Sequence, residues 1–207
     1  MKTVTDVRPQ LKNPKRVSVF LDGEYFCGID SITAHLYRIK TGRQIDENEL
    51  KEIVFQSETQ SAFNSSLNML SKSVKTEKSV RDKLKTYGYS DEVINAATEK
   101  LKGYSFICDE DYSKRYVSSY SAKKGKRLLK AELKMKGVTE DIAEKAVSGI
   151  ENEESTALTL AEKYVRNKEK DLKTMQKCYK YLISKGFSYE DSSYAAKKAT
   201  ETEEDAD

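Results

Sequence analysis

The chain has 207 residues, of which 37% are hydrophobic and 34% are charged, with no Trp and two Pro. So polar a composition argues against one large core and favours a thin body with much solvated surface. The net charge is +3, but residues 201–207 hold five acids and no base, so that removing their −5 leaves +8 for residues 1–200. We predict a disordered acidic tail and a basic body that binds a polyanionic or acidic partner.

The cysteines and the N-terminal segment indicate where the chain works. Cys27, Cys108 and Cys178 are far apart and odd in number, and no C-x-x-C pattern is present. The sequence therefore predicts neither a zinc site nor a disulfide framework, and it fits a reducing compartment. Residues 1–16 are polar and basic, unlike a signal peptide, and no apolar run reaches membrane-spanning length. We expect a cytoplasmic protein with no membrane partner.

The first elements are predicted to be a flexible N-terminus over residues 1–14, then a β-hairpin with helices over residues 15–60. Apolar residues alternate on both sides of Asp22-Gly23 within residues 17–29, which is a strong hairpin signal. Residues 31–56 are predicted to be helical and broken by Gly42, with Asp46 capping the second helix. The apolar stripes of these two helices are Ile32, Leu36 and Ile39, then Leu50, Ile53 and Val54.

From about residue 62 the chain repeats with a period of 49, marked by Gly88, Gly137 and Gly186. Each Gly is followed by an apolar residue and a Ser or Thr, with a Leu four residues before it and an Ala nine residues after it. Gly ends one helix in a left-handed conformation, and the hydroxyl caps the next helix. These marks predict three three-helix repeats, over residues 61–103, 109–150 and 155–199. The predicted fold is all-α, an elongated tandem array of these repeats with a small N-terminal β-hairpin and helical segment.

Candidate catalytic groups are few. The single histidine, His35, lacks metal-ligand spacing, and no catalytic or nucleotide-binding motif is present. Asp109, Glu110 and Asp111 form an acidic cluster that could join distant carboxylates in a two-metal site. Acids at the start of a helix explain them better. We therefore expect no catalytic residue, no metal and no cofactor, and we predict that the chain is not an enzyme.

The strongest functional signal in the sequence is a concentration of basic residues. Residues 123–136 hold seven bases and one acid, an imbalance of +6 that a partner could relieve. The bases recur at helical spacing, with Leu128, Leu129 and Leu133 predicted to face inward. Weaker stripes occur in the outer repeats, and an ordinary solvated lysine-rich face is the alternative interpretation. The candidate binding residues are Lys123, Lys124, Lys126, Arg127, Lys130 and Lys134, with Lys78, Arg81 and Lys85 in the first repeat and Lys170, Lys173 and Lys177 in the third.

Aromatic residues do not accompany these bases as a stacking platform. Tyr112, Tyr116 and Tyr120 recur at four-residue steps, which is more typical of a core stripe. Sequence-specific DNA reading is therefore not predicted. A non-specific architectural DNA- or RNA-binding protein remains an alternative to a regulator that binds a protein.

Several segments together resemble one family. They are VSVFLDGEYFCGI (17–29), FICDEDYSKRYV (106–117), KGKRLLKAELKMKGVTEDIAEKAV (124–147), ALTLAEKYV (157–165) and YLISKGFSYED (181–191). In this order they resemble the RecX-type regulatory proteins, over about residues 15–199. Two departures are Ser105, where the family usually has Gly, and residues 73–76, Ser-Val-Lys-Thr, where Arg-Pro-Arg-Ser is commoner.

The resemblance implies a negative modulator of the RecA recombinase. Such proteins bind the RecA–DNA filament along its helical groove and impede its extension or promote its loss. They thereby reduce ATP hydrolysis, strand exchange and repressor autocleavage. On this basis we expect the partners to be the RecA filament and, weakly and without specificity, single- or double-stranded DNA, and we expect a monomer.

Overall fold

A computed structural model describes residues 1–11 and 13–201, so the predicted tail beyond Glu201 lies outside the described residues. The chain divides into two compact units. The first contains residues 1–74 and 80–107, and the second contains residues 75–79 and the chain from residue 108 onward. Within the described residues the fold is mostly helical, with ten helices and a small N-terminal sheet. This confirms the predicted fold class of three helical repeats after a short strand region.

The sheet is antiparallel and consists of β1 (Lys2–Gln10), β2 (Asn13–Leu21), β3 (Glu24–Asp30) and β4 (Gln44–Ile45), in the spatial order β3-β2-β1-β4. The predicted hairpin is confirmed, because β2 and β3 pair on either side of Asp22-Gly23. Both turn residues have positive φ, 49° and 90°, as a two-residue turn of the type that matches strand twist requires.

The prediction of a flexible N-terminus over residues 1–14 was wrong, because β1 pairs with both β2 and β4. Val4 is fully buried in the core beneath the sheet, and the carboxylate of Asp22 accepts a hydrogen bond from the backbone amide of Thr3 at 3.0 Å. The strand carries charged residues and Pro9, so its apolar signal in the sequence is weak. Pairing with the hairpin determines its structure instead.

The first helix is shorter than predicted. Helix α1 (Ser31–Leu36) ends where Arg38 adopts a positive φ of 53°. The predicted stripe was therefore wrong, because Ile32 and Leu36 are exposed whereas Ile39, beyond the helix, is buried. The cap at Asp46 is confirmed: its carboxylate accepts from the amide of Asn48 at 2.8 Å.

The second helix, α2 (Glu47–Leu70), runs without a break through the predicted boundary between residues 60 and 61. Its first half packs Leu50 and Ile53 against the sheet, and its second half packs Ala62 and Phe63 into the core of the first repeat. The remaining helices are α3 (Glu77–Thr86), α4 (Asp91–Gly103), α5 (Asp109–Tyr120), α6 (Lys126–Met135), α7 (Glu140–Ser148), α8 (Glu153–Val165), α9 (Leu172–Ser184) and α10 (Tyr189–Thr200).

The three glycines that define the period of the repeat have the predicted backbone geometry. Gly88, Gly137 and Gly186 have φ values of 87°, 90° and 86°, each just after the second helix of its repeat. Their left-handed conformation lets the chain reverse into the third helix. The preceding leucines are fully buried and form the centre of each repeat's core; they are Leu84, Leu133 and Leu182.

The predicted hydroxyl caps are confirmed in two repeats. Ser90 Oγ accepts from the amide of Val93 at 3.4 Å, and Ser188 Oγ accepts from the amide of Asp191 at 2.9 Å. Thr139 occupies the same position before α7, but its side chain makes no capping hydrogen bond, so this part of the prediction was wrong. Glu140 and Asp141 provide the favourable negative charge at that helix end instead.

Candidate binding surface

Helix α6 carries four of the six basic residues predicted for the second repeat: Lys126, Arg127, Lys130 and Lys134. Leu129 and Leu133 are fully buried and anchor the helix in the core of the second repeat. Leu128 is only half-buried, and it lies against Gly186 in the turn between α9 and α10. The opposite face, with Arg127 and Lys134, is exposed.

The bases near the end of α6 are paired within the protein. Lys130 Nζ lies 2.6 Å from Glu140 and 2.5 Å from Glu144, both on α7, and Lys134 also pairs with Glu140. Hydrogen bonds from Lys130 and Lys134 lower the pKa of Glu140 to about 2, and those from Glu140 and Glu144 raise the pKa of Lys130. The predicted uncompensated charge is therefore partly neutralised by α7. The matching four-residue spacing of Glu140 and Glu144 was the signal that could have revealed this.

Lys124 belongs to a half-buried polar cluster. Its Nζ donates to both carboxylate oxygens of Glu132, at 2.6 and 2.7 Å, and Tyr116 OH donates to the same carboxylate at 2.8 Å. Burial alone would raise the pKa of Glu132, but these hydrogen bonds outweigh it and hold that pKa below its usual value. Burial and the nearby Glu132 raise the pKa of Tyr116. Lys124 thus stabilises the repeat more than it charges the surface.

The three tyrosines of α5 form a ladder of rings, of which only Tyr112 and Tyr116 pack against the core. The ring centroids of Tyr112 and Tyr116 are 6.0 Å apart, and those of Tyr116 and Tyr120 are 4.7 Å apart. Tyr112 and Tyr116 are half-buried against the core, but Tyr120 is exposed, with Lys124 Nζ 4.6 Å from its ring centroid. The prediction of a core stripe was therefore right for the first two rings and wrong for Tyr120.

The start of α6 is fixed by the third repeat. Glu153, the first residue of α8, accepts a hydrogen bond from the amide of Lys126 at 2.8 Å and lies 4.0 Å from its Nζ. The amide of Gly125 donates to the carbonyl oxygen of Lys185 at 2.9 Å, and that of Arg127 donates to the carbonyl oxygen of Gly186 at 3.2 Å. These contacts fix the second and third repeats to each other at the basic segment.

Three bases of this segment have no acidic partner among the described residues: Lys123, Arg127 and Lys136, of which Lys136 lies outside the predicted binding residues and has its Nζ 5.2 Å from the ring centroid of Tyr116. Lys123 is exposed in the loop before α6. Arg127 is also exposed, and its guanidinium lies 4.9 Å from the ring centroid of Tyr189, an exposed residue at the start of α10. Such a cation–π contact orients the guanidinium but leaves its charge available.

The basic stripes of the first and third repeats also contain both residues that are bonded within the protein and residues that are not. In the first unit, Lys85 lies 3.5 Å from Asp91, and Arg81 contacts the amide oxygen of Asn95. In the second unit, Lys170 Nζ donates to the carbonyl oxygen of Glu201 at 2.8 Å. The exposed bases of the outer stripes that have neither an acidic partner nor a side-chain hydrogen bond among the described residues, all in the second unit, are Lys78, Lys173 and Lys177.

The acidic cluster has a structural role. Asp109 begins α5, but its carboxylate accepts a hydrogen bond from the amide of Glu77 at 2.9 Å, at the start of α3. A hydrogen bond from its own amide, together with one from Cys108, lowers the pKa of Glu110. Within the described residues, no group of three or more His, Cys, Asp and Glu side chains could hold a metal ion. His35 is exposed at the end of α1.

Comparison with known proteins matches almost the whole chain to one family. The matching family models are the "Regulatory protein RecX N-terminal domain" over residues 2–46 and the first, second and third "three-helix domain" of RecX over residues 62–101, 109–147 and 151–195. The chain belongs to the RecX family. The four matched segments coincide with the sheet region and the three helical repeats.

The relatives of this RecX family chain span nearly its full length. It is 35% identical to regulatory protein RecX of Clostridium botulinum, over 92% of each chain. It is 34% identical to that of Clostridium perfringens, over 98% of this chain and 99% of the relative, and 32% identical to that of Bacillus subtilis, over 100% and 80%.

Solved structures of the RecX family share the fold. A crystal structure of regulatory protein RecX superposes with a TM-score of 0.69 at 25% identity, covering 96% of this chain and 99% of that one. RecX from Lactobacillus salivarius superposes with a TM-score of 0.64 at 28% identity, covering 69% and 96%. Of the helices described for this RecX family member, none has the length and apolar character needed to cross a membrane.

Proposed function

We propose that this chain is a negative regulator of RecA that binds the RecA–DNA filament in its groove. Bound there, it inhibits filament extension, ATP hydrolysis, strand exchange and the coprotease activity of RecA. The observation that carries the proposal is the match to regulatory protein RecX along the whole chain, N-terminal region and all three repeats included. A regulator of this kind acts by binding, in the cytoplasm, as a monomer and without a cofactor or a catalytic residue.

Among the predicted binding residues, the exposed bases that have neither an acidic partner nor a side-chain hydrogen bond within the described residues are the proposed primary contacts. Lys123, Arg127, Lys78, Lys173 and Lys177 present charge that no described carboxylate neutralises. A phosphate of DNA or an acidic patch of RecA gains the full Coulomb attraction of such a base, without first breaking an internal pair. The remaining candidates, which are paired or hydrogen-bonded, form a secondary rim: Lys124, Lys126, Lys130, Lys134, Arg81, Lys85 and Lys170.

Several weak contacts on different repeats suit a repeating partner. Once one repeat is bound, the next contact forms at the high effective concentration set by the chain itself. A filament offers the same surface at regular intervals, so modest attraction per base gives useful overall affinity. A small-molecule ligand would not use bases distributed in this way.

The test is the ATPase activity of RecA on single-stranded DNA, measured with increasing amounts of this chain. We expect progressive inhibition, and an unchanged rate at a large molar excess would contradict the proposal. A salt titration of binding to naked DNA tests the alternative of an architectural DNA- or RNA-binding protein. Tight, steeply salt-dependent binding without RecA, combined with no effect on the ATPase, would favour that alternative.

A further inference from the structure

An apolar groove lies between α9 and α10 in the third repeat. Its volume is about 350 Å³, and it is lined by Met175, Gln176, Tyr179, Lys180, Ser193, Ala196 and Lys197. The two helices contribute unequal walls: Met175 and Tyr179 stand four residues apart on α9, opposite the small side chains of Ser193 and Ala196 on α10. This mismatch of side-chain sizes leaves the space open.

The groove is accessible rather than part of the sealed core. Cys178 and Leu182 form the fully buried face of α9, whereas Met175 and Tyr179 lie beside that face and are half-buried. A cavity of this volume accepts one or two apolar side chains. Methionine lets such a site adapt to different partners, because its unbranched thioether changes conformation at little cost.

The rim of the groove is cationic. Lys180 and Lys197 are exposed on opposite sides, neither has an acidic partner among the described residues, and none of the residues lining the groove is acidic. Lys177 is three residues before Lys180 on α9, so the groove adjoins the basic stripe of this repeat. The geometry points to a protein segment as the occupant of this groove: an apolar side chain flanked by acidic residues. This inference rests on the proposed function, since the segment would belong to the protein of the filament.

A nucleic acid fits this groove less well. Base stacking needs an exposed aromatic face, and the single ring here, that of Tyr179, is half-buried beside an aliphatic wall. An apolar anchor that enters a groove while charged neighbours meet the rim is a common mode of peptide recognition. The apolar contact supplies affinity, and the two lysines select acidic flanks over basic ones.

The first test fills the groove. Ser193→Trp places a large side chain there from an exposed position, and Ser155→Trp, from an exposed position on α8 of the same repeat, is its matched control. We expect Ser193→Trp to raise the concentration needed for half-inhibition of the RecA ATPase by about tenfold, as for loss of a central anchor, and Ser155→Trp to leave it within about twofold. Circular dichroism spectra of both variants should match the wild type.

The second test identifies the occupant. A photoreactive benzoylphenylalanine replaces Tyr179, with the same replacement at Tyr194, an exposed residue of α10 outside the groove, as the control. Irradiation on the filament should cross-link position 179 to a RecA peptide that carries an apolar residue between acids. Cross-linking to DNA alone, or to a basic peptide, would overturn the inference.

The outcomes separate the two proposals. If the wild type inhibits RecA and Ser193→Trp inhibits equally well, the groove has no role and the proposed function stands. If the wild type itself fails to inhibit, the proposed function is refuted, and the inferred occupant is refuted with it.

Discussion

Gly186 packs directly against Leu128, the third residue of α6. A Cβ atom on Gly186 would lie 2.3 Å from both the backbone nitrogen and the Cβ of Leu128. This glycine therefore serves two purposes, since it also has a φ of 86°. It reverses the chain within the third repeat and lets the second repeat approach closely.

The three equivalent glycines should consequently differ in their tolerance of alanine. Gly88→Ala meets no atom within 4 Å and should cost only the strain of a left-handed residue, about 1–2 kcal/mol. Gly137→Ala brings its Cβ to 2.4 Å from the Cβ of Lys78, which is fixed on α3, and Gly186→Ala clashes with the backbone of Leu128, so each should cost about 1–3 kcal/mol more than Gly88→Ala. Urea unfolding measures all three. Equal losses would contradict a close packing role for Gly186.

Replacement of Ser105 by Gly should stabilise the protein. Ser105 has a φ of 57°, which is unfavourable for a residue with a side chain, and Gly at this position would avoid the strain. Removing this strain should raise the free energy of unfolding by about 1–2 kcal/mol. The greater conformational entropy of Gly in the unfolded chain offsets part of that, so we expect a net gain in stability of about 0.5–1 kcal/mol. The control is Ser121→Gly, at a φ of −58°, which should give no gain. A loss of stability in Ser105→Gly, measured by urea unfolding, would contradict the prediction.

Stability should fall in acid partly because of Glu140. Hydrogen bonds from Lys130 and Lys134 lower its folded pKa to about 2, from an ordinary value of 4.5. The folded state therefore binds fewer protons than the unfolded state between these values, so this stabilisation is present above pH 4.5 and is lost as the pH falls through 2. Glu140→Gln should flatten the dependence of melting temperature on pH in this range. Because these side chains are exposed, the difference between variant and wild type should shrink in 1 M salt. An unaltered pH dependence in the variant would show that the pair is absent in solution.

Bases without acidic partners should matter more for filament binding than paired ones. Lys123→Gln/Arg127→Gln removes two such charges and should raise the half-inhibitory concentration for the RecA ATPase by about tenfold, equivalent to about 1.4 kcal/mol. The control, Lys134→Gln/Glu140→Gln, removes an internal ion pair without changing the net charge and should inhibit nearly as well as the wild type. The reverse order of potency would assign the contact to the paired residues.

Sequence patterns predicted the features that depend on local backbone geometry. Asp22-Gly23 indicated the hairpin and Gly137 indicated a helix end, because positive φ restricts which residue can stand there. They did not predict β1, whose structure depends on pairing with a strand that follows it in the chain. Nor did they predict that α7 neutralises Lys130 and Lys134, since which faces of two helices meet is decided by tertiary packing.

The same limit applies to Asp109. Its position at the start of α5 suggested an acid favourable to that helix, yet the backbone amide that it binds is that of Glu77, 32 residues earlier. A residue's type and spacing indicate what it can bind, whereas its partner emerges only when distant segments fold together. The groove between α9 and α10 was missed for this reason too.

Binding to preassembled filaments is the most direct test of the central claim. A biotinylated single-stranded DNA is immobilised with and without RecA, in the presence of a non-hydrolysable ATP analogue, and association of this chain is followed by interferometry. We predict tighter binding to the RecA-coated DNA, with weak, salt-sensitive binding to the bare strand. Equal affinity for both surfaces, or no binding to the filament, would contradict the account.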